Sequence, residues 1–187
     1  LIDADVQNHP CPEECDASLP DTIPWQGDRF IELDSEGNII WEWNTFDYIG
    51  LDEYNPFWIE IYSGEQNFDW THSNAVYYDS QLNSVFVSMR NLSRITAIDY
   101  STKEILWNLG ETEFMNESSF EDSFGFSHQH SSQITDDNNL IFFDNGRDNN
   151  PEVSRCMEVD FNSGESAELV WEYVLPDSML TLSRGEC

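Results

Sequence analysis

A degenerate internal repeat is the feature of this sequence that most constrains its fold. In each copy a strand-like run ends at an aspartate, a polar turn follows, and a second run ends in a tryptophan. The copies are Phe30–Trp41 with Asp34, Ile95–Trp107 with Asp99, and Met157–Trp171 with Asp160. The aspartates are 65 and 61 positions apart, a period that fits one four-stranded propeller blade per repeat. The sequence therefore predicts an all-β fold of about three propeller blades, each made of four antiparallel strands.

The two residues that define each copy have separate roles in such a blade. The aspartate carboxylate caps the polar turn, and the tryptophan fills the wedge between neighbouring blades. Aromatic residues at strand ends are also common in a sandwich of β-hairpins, which is the alternative architecture. No segment has the sustained period of a long amphipathic helix.

About three blades do not close a ring. Closed propellers have about 4 to 8 blades, and an open fan exposes two sheet faces. We therefore expect a partial ring, completed by the remainder of a longer chain, by another subunit or by self-association.

The first 24 residues differ in composition from the rest of the chain. Pro10, Pro12, Pro20 and Pro24 punctuate an acidic stretch with little periodicity. This pattern predicts an extended arm over residues 1–24 and a partial propeller domain over residues 25–187.

The charge of the chain restricts its partners. Against 37 acidic residues stand only 7 lysines and arginines, so the formal net charge of the 187 residues is −30. An acidic surface repels nucleic-acid phosphates and anionic lipid headgroups, and neither is an expected partner. The longest apolar runs, such as residues 140–143, are strand-sized, whereas a membrane-spanning helix needs roughly 20 residues. The acidic loops lack the spacing of an EF-hand, so we expect solvated turns there in preference to calcium sites.

Four cysteines and two glycosylation sequons indicate an oxidising, extracellular or periplasmic setting for a secreted glycoprotein. The cysteines are Cys11, Cys15, Cys156 and Cys187, and the sequons begin at Asn91 and Asn116. An even number of cysteines favours disulfides, with three pairings open. The alternative is a metal site built from His9, Cys11 and Cys15, which is less favoured because Cys-x-x-x-Cys lacks a matching second pair.

Three of the four histidines lie in two related segments. His72 precedes Arg90 by 18 residues and His130 precedes Arg147 by 17, so the two histidines occupy the same place in successive blades. The first strand of a propeller blade lines the central channel, and alternation along that strand puts Asn74 on the same face as His72. We therefore predict that His72, Asn74, Arg90 and His130 form one site for an oxyanion-bearing substrate.

These segments resemble the arylsulfotransferase family, the bacterial-type arylsulfate sulfotransferases. The resemblance rests on Asp69-Trp70-x-His72-x-Asn74, Ser88-x-Arg90, Gln129-His130 and Phe143-Asp144-Asn145-Gly146, together with the three repeats. It covers approximately residues 28–175. Each motif is weak by itself, but the set is fairly specific in this order and spacing.

The resemblance implies a β-propeller enzyme that moves a sulfuryl group from a phenolic sulfate ester to a phenol acceptor without a nucleotide donor. Transfer proceeds in such enzymes through a sulfated histidine, which by position in the Gln-His motif is His130. His72, Asn74 and Arg90 would hold the sulfuryl oxygens or assist the leaving phenolate. No cofactor and no metal ion is implied. His128 is interpreted as structural or solvent-facing.

A function of another class also fits these features. The incomplete ring, the cysteine-bearing arm and the sequons would suit a secreted structural or adhesive propeller module that self-assembles and lacks catalysis.

Overall fold

The structure is a computed structural model that describes residues 1–115, 119–120, 124–161, 164–176 and 179–187. Over these residues the chain is all-β, with twelve strands arranged in three four-stranded sheets. The predicted fold class, a partial β-propeller of three blades, is confirmed. None of the described helices is long and apolar enough to cross a membrane.

The first sheet is built around one long strand. It contains β1 (Ile2–Pro10), β2 (Thr22–Leu33) and β3 (Ile39–Asn44), antiparallel in that order, and β4 (Phe68–Asp69), which runs parallel to β2. Two short helices, α1 (Thr45–Tyr48) and α2 (Pro56–Glu60), lie between β3 and β4 in the chain. Strand β1 falls within the segment predicted as an extended arm, and the boundary at residue 24 stays a prediction.

The second and third sheets share one topology, a meander of four antiparallel strands. The second contains β5 (Ser73–Asp79), β6 (Ser84–Met89), β7 (Arg94–Asp99) and β8 (Ile105–Gly110). The third contains β9 (His130–Ile134), β10 (Leu140–Asp144), β11 (Arg155–Asp160) and β12 (Glu168–Val174). A short 3-10 turn, Thr112–Phe114, follows β8. Because the meanders repeat, β5 and β9 are equivalent strands of neighbouring sheets.

The repeat aspartates cap their turns as the sequence predicts. The Asp34 carboxylate accepts the backbone N–H groups of Glu36 at 2.8 Å and Asn38 at 2.9 Å. Asp99 likewise accepts the N–H groups of Ser101 at 2.9 Å and Thr102 at 2.7 Å. Part of the turn after the third aspartate lies outside the described residues.

The repeat tryptophans join one sheet to the next. Trp41 stacks on Tyr100 of the second sheet and donates its indole N–H to the Tyr100 carbonyl at 2.8 Å. Trp107 packs against Phe161 of the third sheet, with 5.0 Å between ring centroids. Two apolar cores formed by the described residues lie at these two junctions.

The third tryptophan departs from the predicted packing role. Trp171 is 46% exposed, and within the described residues no sheet covers the face of β12 on which it lies. The prediction of a buried wedge is wrong at this position because such a wedge needs a following sheet to pack against. Most of the apolar side chains of β12, including Val170 and Tyr173, are exposed as well.

The four cysteines form two disulfides, and the first glycosylation sequon is buried. Disulfides join Cys11 to Cys15 and Cys156 to Cys187, so the alternative metal site loses both of its thiolates. Asn91 is fully buried and donates its amide to the Asp69 carbonyl at 2.6 Å, so the first sequon is closed to glycosylation in the folded chain. The second sequon, at Asn116, lies outside the described residues.

Candidate functional site

The β5–β6 hairpin brings the two ends of the first motif together. His72 directly precedes β5 and Arg90 directly follows β6, and the Arg90 N–H donates to the His72 carbonyl at 3.3 Å. The buried Asp28 of the first sheet accepts the Thr71 hydroxyl at 2.6 Å and the Ser73 N–H at 2.7 Å. Hydrogen bonds on both sides of His72 therefore fix its backbone, which has a φ of 48°.

The His72 imidazole is the most accessible of the predicted groups. Its side chain is 46% exposed, and its Nδ1 contacts the carboxylate of Asp69. A carboxylate that accepts from Nδ1–H leaves the lone pair on Nε2. His72 can therefore exchange a proton with a substrate through Nε2.

Asn74 links the second sheet to the third immediately before His130. Its Nδ2 donates to the Gln129 carbonyl at 2.7 Å. The buried Gln129 amide in turn donates to the Ser88 hydroxyl at 3.0 Å and to the Arg94 carbonyl at 2.9 Å. Gln129 of the Gln-His motif is thus an inter-sheet contact that sets the position of its neighbour, His130.

The hydrogen bonds of His130 define which ring nitrogen carries the proton. Nδ1 lies 3.0 Å from the His128 carbonyl and 2.7 Å from the Asn145 Oδ1. The Asn145 Nδ2 donates to the carbonyls of Thr181 and Arg184, which fixes Oδ1 toward the imidazole. Both partners of Nδ1 are acceptors, so Nδ1 is protonated and Nε2 carries the lone pair. That lone pair accepts the backbone N–H of Arg184 at 3.2 Å.

The charges of two other predicted residues act on the His130 imidazole. Burial lowers the pKa of His130 from 6.5, and the positive charges of Arg90 and His72 lower it further. These charges come from the second sheet, whereas His130 begins the third. The hydrogen bonds of Arg90 to His72 and of Asn74 to the Gln129 carbonyl link these residues across the neighbouring sheets, and His130 is neutral at neutral pH.

His128 lies close to His130 and Arg90, and its side chain is buried. It is fully buried, and neither ring nitrogen has a hydrogen-bond partner within the described part of the chain, although Nδ1 lies 3.4 Å from the Asp148 carboxylate. Burial and the nearby charges of Arg90 and Arg147 lower its pKa to about 3. His128 is therefore neutral at pH 7.

Three further residues belong to the site, and none of them was predicted as a site residue from the sequence. Asn145 and the backbone of Arg184 contact the His130 ring, and Trp58 of α2 contacts Arg90 and His128. Asn145 belongs to the Phe-Asp-Asn-Gly motif, so the sequence did contain a pattern that points to this residue. Trp58 lies outside the repeat, and only the tertiary fold places it here.

Among the described residues, no group of three or more His, Cys, Asp or Glu side chains is arranged to hold a metal ion.

Comparison with protein families decides the relationship of the chain. The family model described as Arylsulfotransferase (ASST) matches residues 13–177. The chain belongs to the arylsulfotransferase family. Comparison with curated proteins gives no match. The matched span of this arylsulfotransferase-family chain includes β2 to β12 and all four predicted site residues, so the resemblance inferred from the motifs is confirmed.

Proposed function

We propose that this protein transfers a sulfuryl group from a phenolic sulfate ester to a phenol acceptor, through a covalent intermediate on His130. The observation that carries the proposal is the fixed tautomer of His130, whose protonated Nδ1 is bound by Asn145 and the His128 carbonyl. An imidazole held in this way directs a lone pair from Nε2, and its lowered pKa keeps that lone pair free of a proton at neutral pH.

The first step makes a nitrogen–sulfur bond and breaks the ester bond. The Nε2 lone pair of His130 attacks the sulfur, and the bond from sulfur to the aryl oxygen takes its electron pair to the departing phenolate. Arg90 offsets the charge on the sulfuryl oxygens, as cationic groups do in phosphoryl transfer. The phenolate then takes a proton from protonated His72 or from water.

The second step reverses these changes with the acceptor. The acceptor hydroxyl attacks the sulfur of sulfated His130, its proton passes to the Nε2 of His72, and the nitrogen–sulfur bond breaks. The pair of His72 with Asp69 suits this proton exchange because the carboxylate stabilises the imidazolium that forms. Asn74 keeps the Gln129–His130 backbone in position throughout.

The segment around Arg184 bears on access to the nucleophile. Its backbone N–H occupies the His130 lone pair, so this hydrogen bond must break before attack. The disulfide between Cys156 and Cys187 holds the same segment against β11. We propose that displacement of this segment accompanies substrate entry.

A secreted structural or adhesive module is the second candidate. The exposed apolar side chains of β12 favour it, because large exposed apolar patches mark interaction surfaces.

The phenolic substrates, the self-association and an extracellular or periplasmic location are all part of the proposals, and two disulfides support the location. Native mass spectrometry tests self-association, since a monomer at all concentrations would contradict it.

The catalytic proposal is tested with 4-nitrophenyl sulfate as donor and phenol as acceptor. We expect release of 4-nitrophenolate and a sulfated His130 in peptides from enzyme treated with donor alone. His130→Ala should abolish both signals. His9→Gln, in the first sheet beside Phe46, is the matched control and should keep them. Turnover by His130→Ala, or sulfation at another residue, would overturn the proposal.

A further inference from the structure

Two arginines from different sheets converge on one tryptophan. The guanidinium of Arg90 lies 5.1 Å from the Trp58 ring centroid, and that of Arg147 lies 5.4 Å from it. Arg147 also lies 5.1 Å from the Phe57 ring centroid. Helix α2 therefore holds together two like charges that would otherwise repel each other.

Among the residues that the structure describes, neither arginine has a counter-charge in contact with it. Of the seven cationic side chains, Arg29, Arg94 and Arg155 form ion pairs, but within the described ranges Arg90 and Arg147 form none. Burial and the charge of Arg147 lower the pKa of Arg90, and the charges of Asp69 and Asp148 offset only part of that shift without forming an ion pair with it. In a chain of net charge −30, two unpaired arginines side by side indicate a place kept for an anion.

Two neutral groups beside the arginines also have unused hydrogen-bonding capacity. The buried indole N–H of Trp58 has no hydrogen-bond partner among the described residues, and the His128 ring makes no hydrogen bond there, although its Nδ1 lies 3.4 Å from the Asp148 carboxylate. The two rings are in edge contact, with 5.6 Å between centroids. Buried polar groups are normally satisfied, so two arginines without ion pairs beside an unpartnered indole N–H have the composition of an oxyanion-binding site.

We propose that Trp58, Arg147, His128 and Arg90 form the pocket that binds the sulfonate oxygens of an aryl sulfate ester. The arginines neutralise the anion, the indole N–H of Trp58 donates to one of its oxygens, and the neutral ring of His128 lines the pocket. The identity of the anion rests on the proposed function, whereas the pocket itself rests on these contacts. Trp58, Arg147 and His128 thereby gain a binding role that the sequence motifs do not assign to them.

Binding is measured without turnover by using phenylmethanesulfonate, in which a methylene replaces the ester oxygen and sulfuryl transfer cannot occur. Isothermal titration of the intact protein should show binding of this anion and weaker binding of neutral benzyl methyl sulfone. Arg147→Gln should raise the Kd for the sulfonate about tenfold or more, since it removes a charge-assisted contact. Trp58→Phe keeps a ring beneath the arginines but removes the N–H, and should raise the Kd about threefold.

The control variant is Arg29→Gln, which removes an exposed arginine of the first sheet and should leave the Kd unchanged. Circular dichroism checks that each variant is folded, and Arg147→Lys replaces Arg147→Gln where the latter unfolds. Unchanged affinity in folded Arg147 and Trp58 variants, or equal affinity for the sulfone, would overturn the pocket. Failure of the transfer proposal gives a different result, namely no sulfated His130 while these affinity changes persist.

Discussion

The Asn145 Oδ1 lies 2.7 Å from the His130 Nδ1, and this contact decides which nitrogen of the imidazole can react. The Asn145 amide cannot turn over, because its Nδ2 donates to two carbonyls of the segment that ends at Cys187. The same side chain therefore sets the tautomer of the proposed nucleophile and anchors the segment that covers it.

Replacing Asn145 should remove the contact that fixes the proton of His130 on Nδ1. In Asn145→Leu we expect the proton to distribute over both nitrogens and kcat/KM to fall about ten- to a hundredfold, the range seen when metal-binding histidines lose an orienting partner. Nitrogen-15 NMR of labelled histidine reports the tautomer directly. Asn139→Leu, an amide of the same sheet that contacts Glu158, is the control. An unchanged tautomer in Asn145→Leu would show that the His128 carbonyl is sufficient.

The pH profile should show the effect of burial on His130. The nucleophile reacts only when neutral, and its pKa is lowered from 6.5, so activity should persist as pH falls below 6.5 and decline only when His130 becomes protonated. The measurement is kcat/KM for 4-nitrophenyl sulfate through the acidic and neutral range. An acid limb centred above pH 6.5 would contradict the assignment of this limb to a buried His130.

The fold was predictable to a large extent because its determinants are local. Short segments of sequence determine the strands, through alternation of apolar and polar residues, and the turns, through their capping aspartates. These segments recur with the period of a propeller blade. The same repeat predicts that His72 and His130 are equivalent, and the structure places His72 directly before β5 and His130 at the first position of β9. Structure adds what the repeat does not contain: Trp58 reaches the site from a helix that interrupts the pattern, and its contact with Arg147 spans two sheets.

Two sequence motifs did not predict whether their key residue is buried or exposed, because exposure depends on tertiary packing. The sequon at Asn91 has the acceptor pattern, yet Asn91 is buried with its amide bound to a carbonyl. Trp171 matches Trp107 in the repeat, yet its burial depends on a neighbouring sheet that the described residues do not include. Local pattern specifies a strand, whereas exposure depends on what packs against it.

The two equivalent tryptophans give a matched pair for stability. Trp107 is 3% exposed and packs with Phe86 and Phe161, so Trp107→Ala should lower the free energy of unfolding by about 3–5 kcal/mol. Trp171→Ala removes a half-exposed ring and should cost less than about 1 kcal/mol. Urea denaturation followed by circular dichroism measures both values. A larger loss from Trp171→Ala would mean that its face is covered in solution.

The buried ion pair of Arg94 and Glu53 connects stability to the site. Arg94 is 1% exposed, and its guanidinium lies 2.6 Å from the Glu53 carboxylate, while its carbonyl accepts the Gln129 amide next to His130. Glu53→Gln leaves a buried cation without its counter-charge and should destabilise the chain by about 3–5 kcal/mol. Glu42→Gln breaks the exposed pair with Arg29 and should cost at most about 1 kcal/mol. Urea denaturation of the two variants compares them, and equal losses would show that burial adds nothing to the Arg94 pair. Because the Arg94 carbonyl holds Gln129, Glu53→Gln should also lower kcat/KM below the value expected from its folded fraction, whereas Glu42→Gln should not.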